Sequence, residues 1–287
     1  MIALSACLVI HNEESVLARC LKSLKGLVDE IIIVHDGPCR DRSLEIAKEF
    51  NAQIHVRQFV GEAEYHRPFA FAKAKGKWFL HLDADEIINE KLKKAIPGLI
   101  AANDCDAYSF AWPYPDGAGG IKNGPFAKTI KPALFRKNMA YMIGLSHEFP
   151  RTYGRLCHRP EYSIDHRPPY DNFSFSVFRT KWINWAAIQA GQLKNLDTLP
   201  FTNITDKKNH PQFKLLRRIY NFPVLTGLSE TAKYLIIYLL RGILFAGIKS
   251  LKIAFFEVSY IWFVRLNILM IKYRFTHSGG VFHTHRV

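Results

Sequence analysis

The chain opens with continuous apolar runs that alternate with apolar residues at helical spacing. Ser5 to Ile10 is apolar and partly β-branched, His11-Asn12-Glu13-Glu14 follows, and Val16, Leu17, Cys20, Leu21 and Leu24 then recur as one helix face. This reads as strand, loop and helix, with Asn12 as the expected N-cap. Glu30 to His35 is a second buried strand, Asp36-Gly37-Pro38 is turn chemistry, and Asp41 starts a helix to about Phe50. Gln53 to Gln58 is a third strand, Glu64 to Ala74 a helix ended by Gly76, and Trp78 to Leu82 a strand that stops at Asp83-Ala84-Asp85-Glu86. Lys91 to Ala101 is helical with an expected interruption at Pro97-Gly98, and Asp106 to Trp112 is a strand. Repeated strand-helix units with short loops predict an α/β fold with a mostly parallel, right-handed, doubly wound sheet.

The pattern then changes twice. From Pro113 to Pro132 the chain is rich in Pro, Gly and Asn, which predicts a mobile loop or irregular hairpin. From Pro132 to about Tyr170 short segments carry many titratable side chains and look like the acceptor half of a site rather than a scaffold. An aromatic-rich helix is expected from Ser174 to Leu193. After Pro223 apolar runs dominate, broken by Arg241, Lys249, Lys252, Glu257 and Arg265. No uncharged apolar stretch reaches the roughly 18 residues of a spanning helix. Wound at 100° per residue, Lys233, Arg241, Lys249 and Lys252 share about 160° of one helix, so an amphipathic helix with a basic face is expected, suited to an anionic membrane surface. A buried helical pair that closes the core or a dimer fits the same pattern. The expected organisation is a catalytic domain over residues 1–200 (donor half 1–112, acceptor half 113–200) and a helical, basic C-terminal region over 201–287.

Composition narrows the class. With 48% apolar and 22% charged residues, the chain is neither disordered nor fibrous. Of a net charge of +14, most lies beyond residue 205, where 13 Lys and Arg face only Asp206, Glu230 and Glu257. The five cysteines are odd in number, widely spaced and without a CxxC pair, so neither a disulfide framework nor a zinc site is expected. A reducing cytosol follows. Leu4-Ser5-Ala6-Cys7 lacks the basic leader of a lipoprotein signal, and no secretory signal is read.

The chemistry concentrates at Asp83 and Asp85. Carboxylates at the carboxyl end of a buried strand lie where open α/β sheets bind ligands. Asp85 is expected to ligate Mg²⁺ or Mn²⁺ bridging a nucleotide diphosphate, with Asp83 reaching the ribose or a metal-bound water. A cluster capping the next helix is the competing reading.

Together, Leu8-Val9-Ile10-His11-Asn12-Glu13-Glu14, the Ile32 to Asp41 turn, Glu64-Tyr65-His66-Arg67 and Leu82-Asp83-Ala84-Asp85-Glu86 resemble family 2 glycosyltransferases with the GT-A fold. Leu134-Phe135-Arg136 and Gly144-Leu145-Ser146-His147-Glu148 resemble the bacterial branch that acts on lipopolysaccharide core and related envelope sugars. The resemblance covers about residues 3 to 190. It implies inverting transfer from a nucleotide sugar, a UDP-sugar above all, to a hydroxyl of a glycolipid or saccharide. It implies that Ile10, Asn12, Glu14, Asp36, Arg67, Asp83, Ala84 and Asp85 line the donor, with Asp36 near the base. Here the turn after the second strand is one residue longer and His35 stands at the first acidic position, which leaves the base open.

Glu148 is the expected general base, opposite the leaving diphosphate; pairing with Arg151 or Arg136 is the alternative. His166 is expected to complete the metal with Asp85 or to contact the diphosphate, against a role as a satisfied loop histidine. Arg67 and Arg136 suit phosphate contacts, with Arg67 otherwise a solvated helix residue; His147 either orients Glu148 or contacts the substrate, and Glu86 either faces the acceptor or caps a helix. The expected location is cytoplasmic, peripheral on the inner face of the cytoplasmic membrane, with no specific nucleic acid partner and a homo-oligomer left open. Two competing functions are a nucleotidyltransferase, disfavoured because Ile10 to Glu14 has neither glycine nor lysine, and a non-catalytic basic membrane or nucleic-acid binder.

Overall fold

A computed structural model describes residues 3–113, 126 and 129–277. The first half runs β1 (Leu4–Ile10), α1 (Glu14–Leu24), β2 (Glu30–Asp36), α2 (Ser43–Glu49), β3 (Gln53–Arg57), α3 (Ala63–Lys73), β4 (Trp78–Leu82), β5 (Glu86–Ile88), α4 (Glu90–Ala102) and β6 (Ala107–Ala111). Then come β7 (Ile130–Arg136), β8 (Ala140–Ile143), β9 (Arg151–Thr152), β10 (Leu156–His166), α5 (Phe175–Val177), a π-helical turn (Phe178–Trp182), α6 (Ile183–Lys194) and β11 (Phe201–Thr202). Helices α7 (Pro211–Asn221), α8 (Pro223–Leu240) and α9 (Gly247–His277) follow.

Eight strands form one sheet in the order β3-β2-β1-β4-β7-β6-β10-β5. Strands β1 to β4, β6 and β10 run one way and β7 and β5 the other. Every residue of β1, β2 and β4 is buried, which explains their continuous apolar runs, since helices cover both faces. Helix α1 seals one face with Val16, Leu17, Cys20, Leu21 and Leu24, and α3 the other with Ala70 and Phe71. The chain turns left of β1 to β2 and β3, then crosses to β4, so the β1/β4 boundary is the topological switch point where such sheets open a crevice. The expected α/β architecture of a mostly parallel sheet flanked by helices is present.

Several local expectations are corrected. Asn12 is not the α1 cap: it takes a left-handed φ of 54°, and Glu13 stands at the cap position without a side-chain cap bond. Helix α4 runs through Pro97-Gly98 unbroken; its N-cap is Asn89, whose side chain accepts from the Leu92 amide, so the acids at 83–86 do not cap it. The segments after Pro132 are scaffold as well as site, because β7 and β10 are sheet strands. The reading of 113–132 falls largely outside the described residues, apart from Ile130 to Pro132 in β7. Cys105 and Cys157 form a disulfide, Cα atoms 6.1 Å apart, joining the starts of β6 and β10; their separation of 52 residues hid a pairing that sheet register creates.

The C-terminal region is not one amphipathic helix. Helix α8 stops at Leu240, Gly242 takes a φ of +73° that an L side chain adopts only with strain, and α9 starts afresh after Gly247. The shared basic face calculated across that break does not exist. Residues Gly247–Tyr273 of α9 are, by length and composition, long and apolar enough to cross a membrane, with Lys249, Lys252, Glu257, Arg265 and Lys272 interrupting the run as the sequence shows. The helix nevertheless packs on the protein: Val264 and Ile268 join Ala186, Ala190 and Phe213 in one apolar cluster, and Ile253 and Phe256 join Phe178 and Tyr238 in another.

Candidate active site

The carboxyl ends of β1, β2 and β4 gather the predicted donor residues at the switch point. Ile10 is buried at the end of β1, and Ala84 is buried beside Asp83. Asn12 and Glu14 brace the turn after β2: Asn12 Oδ1 accepts from the Arg40 amide at 2.8 Å and Glu14 Oε2 from the Arg42 amide at 3.0 Å. The longer turn is thus held by two side chains of the β1-α1 loop. Asp41 closes it from within, accepting from the Ser43 and Glu14 amides; these bonds hold its carboxyl down to about 2 although burial opposes them.

Asp36 is tied into the loop that follows β3. Its two oxygens accept from the amides of Val60 and Gly61, both at 2.7 Å, and from His66 Nε2 at 2.9 Å. Arg57 Nη1 lies 3.2 Å from His66 Nδ1, so Nε2 carries the proton given to Asp36. The carboxylate fixes the loop after β3. The rings at this edge are His11, whose Nδ1 lies 2.5 Å from the Asp36 carbonyl oxygen, and exposed Phe59, 5.0 Å from it.

Asp83 is held from two sides. Arg67 Nη2 donates to Oδ1 at 2.6 Å and Lys131 Nζ to Oδ2 at 2.8 Å. The surrounding protein alone would push its carboxyl up, but Lys131 and then Arg67 hold it well below the usual carboxylate range. Arg67 also reaches Glu64 at 3.3 Å. Lys131, fully buried in β7, binds both oxygens of fully buried Glu86 at 2.7 and 2.6 Å. Burial pulls the Lys131 pKa down, and Asp83 and Glu86 more than offset this, so the ammonium stays charged. Glu86 therefore neither faces an acceptor nor caps a helix: it also accepts from the Asp83 amide at 2.8 Å and is the counter-ion that seats Lys131.

Asp85 and His166 meet as expected, Oδ2 to Nε2 at 3.2 Å, because β10 ends against β5 with His166 in register with Glu86. Trp112 stacks on the His166 ring at 4.7 Å, and His166 Nδ1 is buried with no hydrogen-bond partner among the described residues. Glu13, part of the Leu8 to Glu14 motif but given no role from the sequence, adjoins this pair: burial, then Asp85, raises its carboxyl to about 7. Asp85 and His166 are two side chains of the kinds that ligate a divalent cation. Among the described residues no three His, Cys, Asp or Glu side chains gather around one point. One carboxylate and one imidazole are enough when diphosphate oxygens and water complete the shell.

Glu148 lines a cavity of about 980 Å³ together with Arg67, Asp83, Trp112 and His166. Its Oε2 accepts from Arg151 Nη2 at 3.0 Å and Gln212 Nε2 at 3.1 Å, so the Arg151 pairing is real and leaves Oε1 uncommitted in the bonds described. The turn that presents it is built by close approach. A Cβ on Gly144 would lie 2.8 Å from Pro200 Cγ and 3.1 Å from the Glu64 carbonyl oxygen, and helix α6 clamps Ser146 through Gln189 and Gln192. His147 takes a left-handed φ of 61°, and its ring lies 4.8 Å from Trp185 and 5.0 Å from Tyr260. It opens on the cavity, and the protein packed around it lowers its pKa. Arg136 is not in the site. It pairs with Trp78 at the opposite end of β4 and binds Asp106 at 2.9 Å and Asn103; β7 runs antiparallel, so this arginine leaves the carboxyl edge as Lys131 enters it.

Residues 5–159 match the model of glycosyl transferase family 2. An uncharacterized glycosyltransferase of Rickettsia typhi is 32% identical over 105 residues, 37% of this chain and 35% of that one. The lipopolysaccharide core biosynthesis glycosyltransferase LpsC of Rhizobium meliloti is 30% identical over 105 residues, 35% of this chain and 38% of that one. The chain spans about a third of the length of these relatives. Among solved structures, S. aureus TarS 1-349 in complex with UDP-GlcNAc aligns with 95% of this chain and 92% of its own, at 16% identity and a TM-score of 0.46.

Proposed function

Because this chain belongs to glycosyl transferase family 2 and is a transferase, we propose that it moves a sugar from a nucleotide-sugar donor, a UDP-sugar, to a hydroxyl of a cell-envelope glycolipid or saccharide with inversion at the anomeric carbon. The observation that carries the reading is one cavity lined at once by Asp83 and His166 and by Glu148. The LpsC relative favours an acceptor in lipopolysaccharide core, and the UDP-GlcNAc complex of the TarS neighbour favours the uridine donor.

In this reading the donor lies across the β1/β4 crevice, its base against His11 and Phe59 and its diphosphate at Asp85. When bound, a Mg²⁺ or Mn²⁺ ion held by Asp85 and His166 supplies Lewis-acid stabilisation of the leaving diphosphate. Asp83 keeps Arg67 and Lys131 in place, so positive charge stands behind the metal seat before substrate arrives. The acceptor oxygen attacks the anomeric carbon as Glu148 takes its proton, and the bond to the diphosphate breaks with its electron pair leaving on the diphosphate. Arg151 and Gln212 fix the Glu148 carboxylate in one orientation. The protein works at the inner face of the cytoplasmic membrane.

A thermal-shift panel of nucleotide sugars with and without Mn²⁺ tests the donor half, because a ligand bound by the native state raises its stability by mass action. A manganese-dependent rise with a UDP-sugar is expected, and its absence in Asp85→Asn. A full rise without metal removes the metal from the account.

A further inference from the structure

The turn between α8 and α9 is anchored by buried Ile243, in one cluster with Tyr238 and Ile253, and leaves its other large apolar side chains outside. Leu240 is 82% exposed, Leu244 70%, Phe245 90% and Ile248 84%, the four most exposed large apolar side chains described. Large apolar groups gathered at one exposed tip mark an interaction surface. Between Glu230 and Glu257 the sequence holds no Asp or Glu, while Lys233, Arg241, Lys249 and Lys252 flank the tip. Apolar residues flanked along the chain by cations complement an anionic lipid interface, with aliphatic chains under the tip and phosphates beside it.

Insertion of the tip, rather than passage of α9 through the bilayer, follows from the rest of the helix. Ile253, Phe256, Val264 and Ile268 are buried along its length, and Arg265, 5% exposed, binds Glu230 of α8 at 2.5 Å. Spanning would strip α9 from α6 and α8 and leave that ion pair to be broken. The opposite side of the same two helices walls the cavity through Tyr234, Glu257 and Tyr260. At about 1.5 Å per residue, Leu240 stands ~9 Å along the helix from Tyr234, and Ile248 stands ~14 Å from Glu257.

We propose that the α8-α9 turn, residues 240–252, docks the protein on an anionic bilayer as a wedge and thereby holds the acceptor end of the cavity at headgroup height. A wedge sunk about 5–10 Å leaves the cavity wall only a few ångströms above the acyl boundary. The sugar that enters is then the one joined to its lipid or the next one out. This second part rests on the glycosyl-transfer reading; the docking does not.

The test uses the full chain and vesicles of phosphatidylcholine with or without phosphatidylglycerol. The wild type is expected to sediment with the anionic vesicles and to be released by high salt or by pure phosphatidylcholine. The double variant Leu244→Asp/Phe245→Asp is expected to lose about a hundredfold in partition, two buried apolar side chains being replaced by charges. Its melting point and UDP-induced thermal shift are expected to stay unchanged, which separates lost docking from lost folding or donor binding. Unchanged partition overturns the proposal. So does resistance to alkaline carbonate extraction, which means α9 spans, or a wild-type dimer that the variant makes monomeric, which means the tip meets a second copy. For the acceptor, labelled sugar from the donor is expected in short-glycan lipids of a native membrane extract; label confined to water-soluble saccharide overturns that part. Label in neither fraction from a chain that still binds vesicles counts against the transfer reading alone.

Discussion

Lys131 and Glu86 form an ion pair at 2.6 Å with both side chains fully shielded from solvent, and the same ammonium reaches Asp83 at 2.8 Å. Asp83 is thereby committed to positioning charge, and the acid of the motif outside this network is Asp85, which meets His166 instead. Removing one partner of such a pair leaves the other charge buried and alone, at a cost of about 3–5 kcal/mol. Lys131→Met is therefore expected to lower the melting point strongly and to abolish donor-induced stabilisation. Lys131→Met/Glu86→Leu, measured beside it by denaturant titration, is expected to recover most of the stability and none of the donor binding.

Glu62 gives the stability an acid-side preference. The side chain is 4% exposed, its Oε1 lacks a partner, and burial, then Glu64, raises its carboxyl to about 8. The folded state then binds a proton that the unfolded chain releases near its ordinary 4.5. The contribution is complete below about pH 4.5, falls as pH rises, and is gone above about pH 8. Urea midpoints at pH 6 and pH 8.5 are expected to show the wild type weaker at the higher pH and Glu62→Gln with a flatter dependence. A wild-type slope unchanged in Glu62→Gln assigns the effect elsewhere.

The Cys105–Cys157 disulfide closes a long loop, for which chain entropy accounts for about 2–4 kcal/mol. Treatment with dithiothreitol is expected to lower the melting point by several degrees, and Cys105→Ser to show the same melting point with or without reductant. Equal melting of the wild type in both conditions means the bond does not form in solution.

Arg136 separates motif from site. Arg136→Ala is expected to leave UDP-sugar binding unchanged and to lower stability by about 1 kcal/mol through the lost bond to Asp106 and the lost contact over Trp78. A donor-binding defect without a stability loss would return it to the site.

The strands were legible because buried parallel strands write themselves as unbroken apolar runs, and β1, β2 and β4 appear with their expected limits within two residues. The pairing of Asp85 with His166 was legible only as an implication of family resemblance, since 81 positions of chain separate them and sheet register alone brings them to 3.2 Å. Lys131 was illegible for a related reason. A lysine in a strand bounded by unpatterned sequence reads as surface, and its counter-ion lies 45 residues earlier in a motif whose acids had other expected tasks. The Asp36 network was illegible because two of its partners are backbone amides, which no residue type announces, and the third, His66, lies 30 residues away. In the C-terminal region the error was one glycine: Gly242 turns the chain, and every periodicity counted across it loses its meaning.

The central claim is that donor binding and proton removal are separate tasks of one cavity, the second belonging to Glu148. Glu148→Gln tests it most directly, with UDP-sugar binding followed by thermal shift and transfer followed as label moved into a native membrane extract. The account predicts donor binding within about twofold of wild type and a loss of transfer of about a hundredfold or more, the usual contribution of a positioned base. Transfer retained at the wild-type rate, or lost together with donor binding, contradicts it.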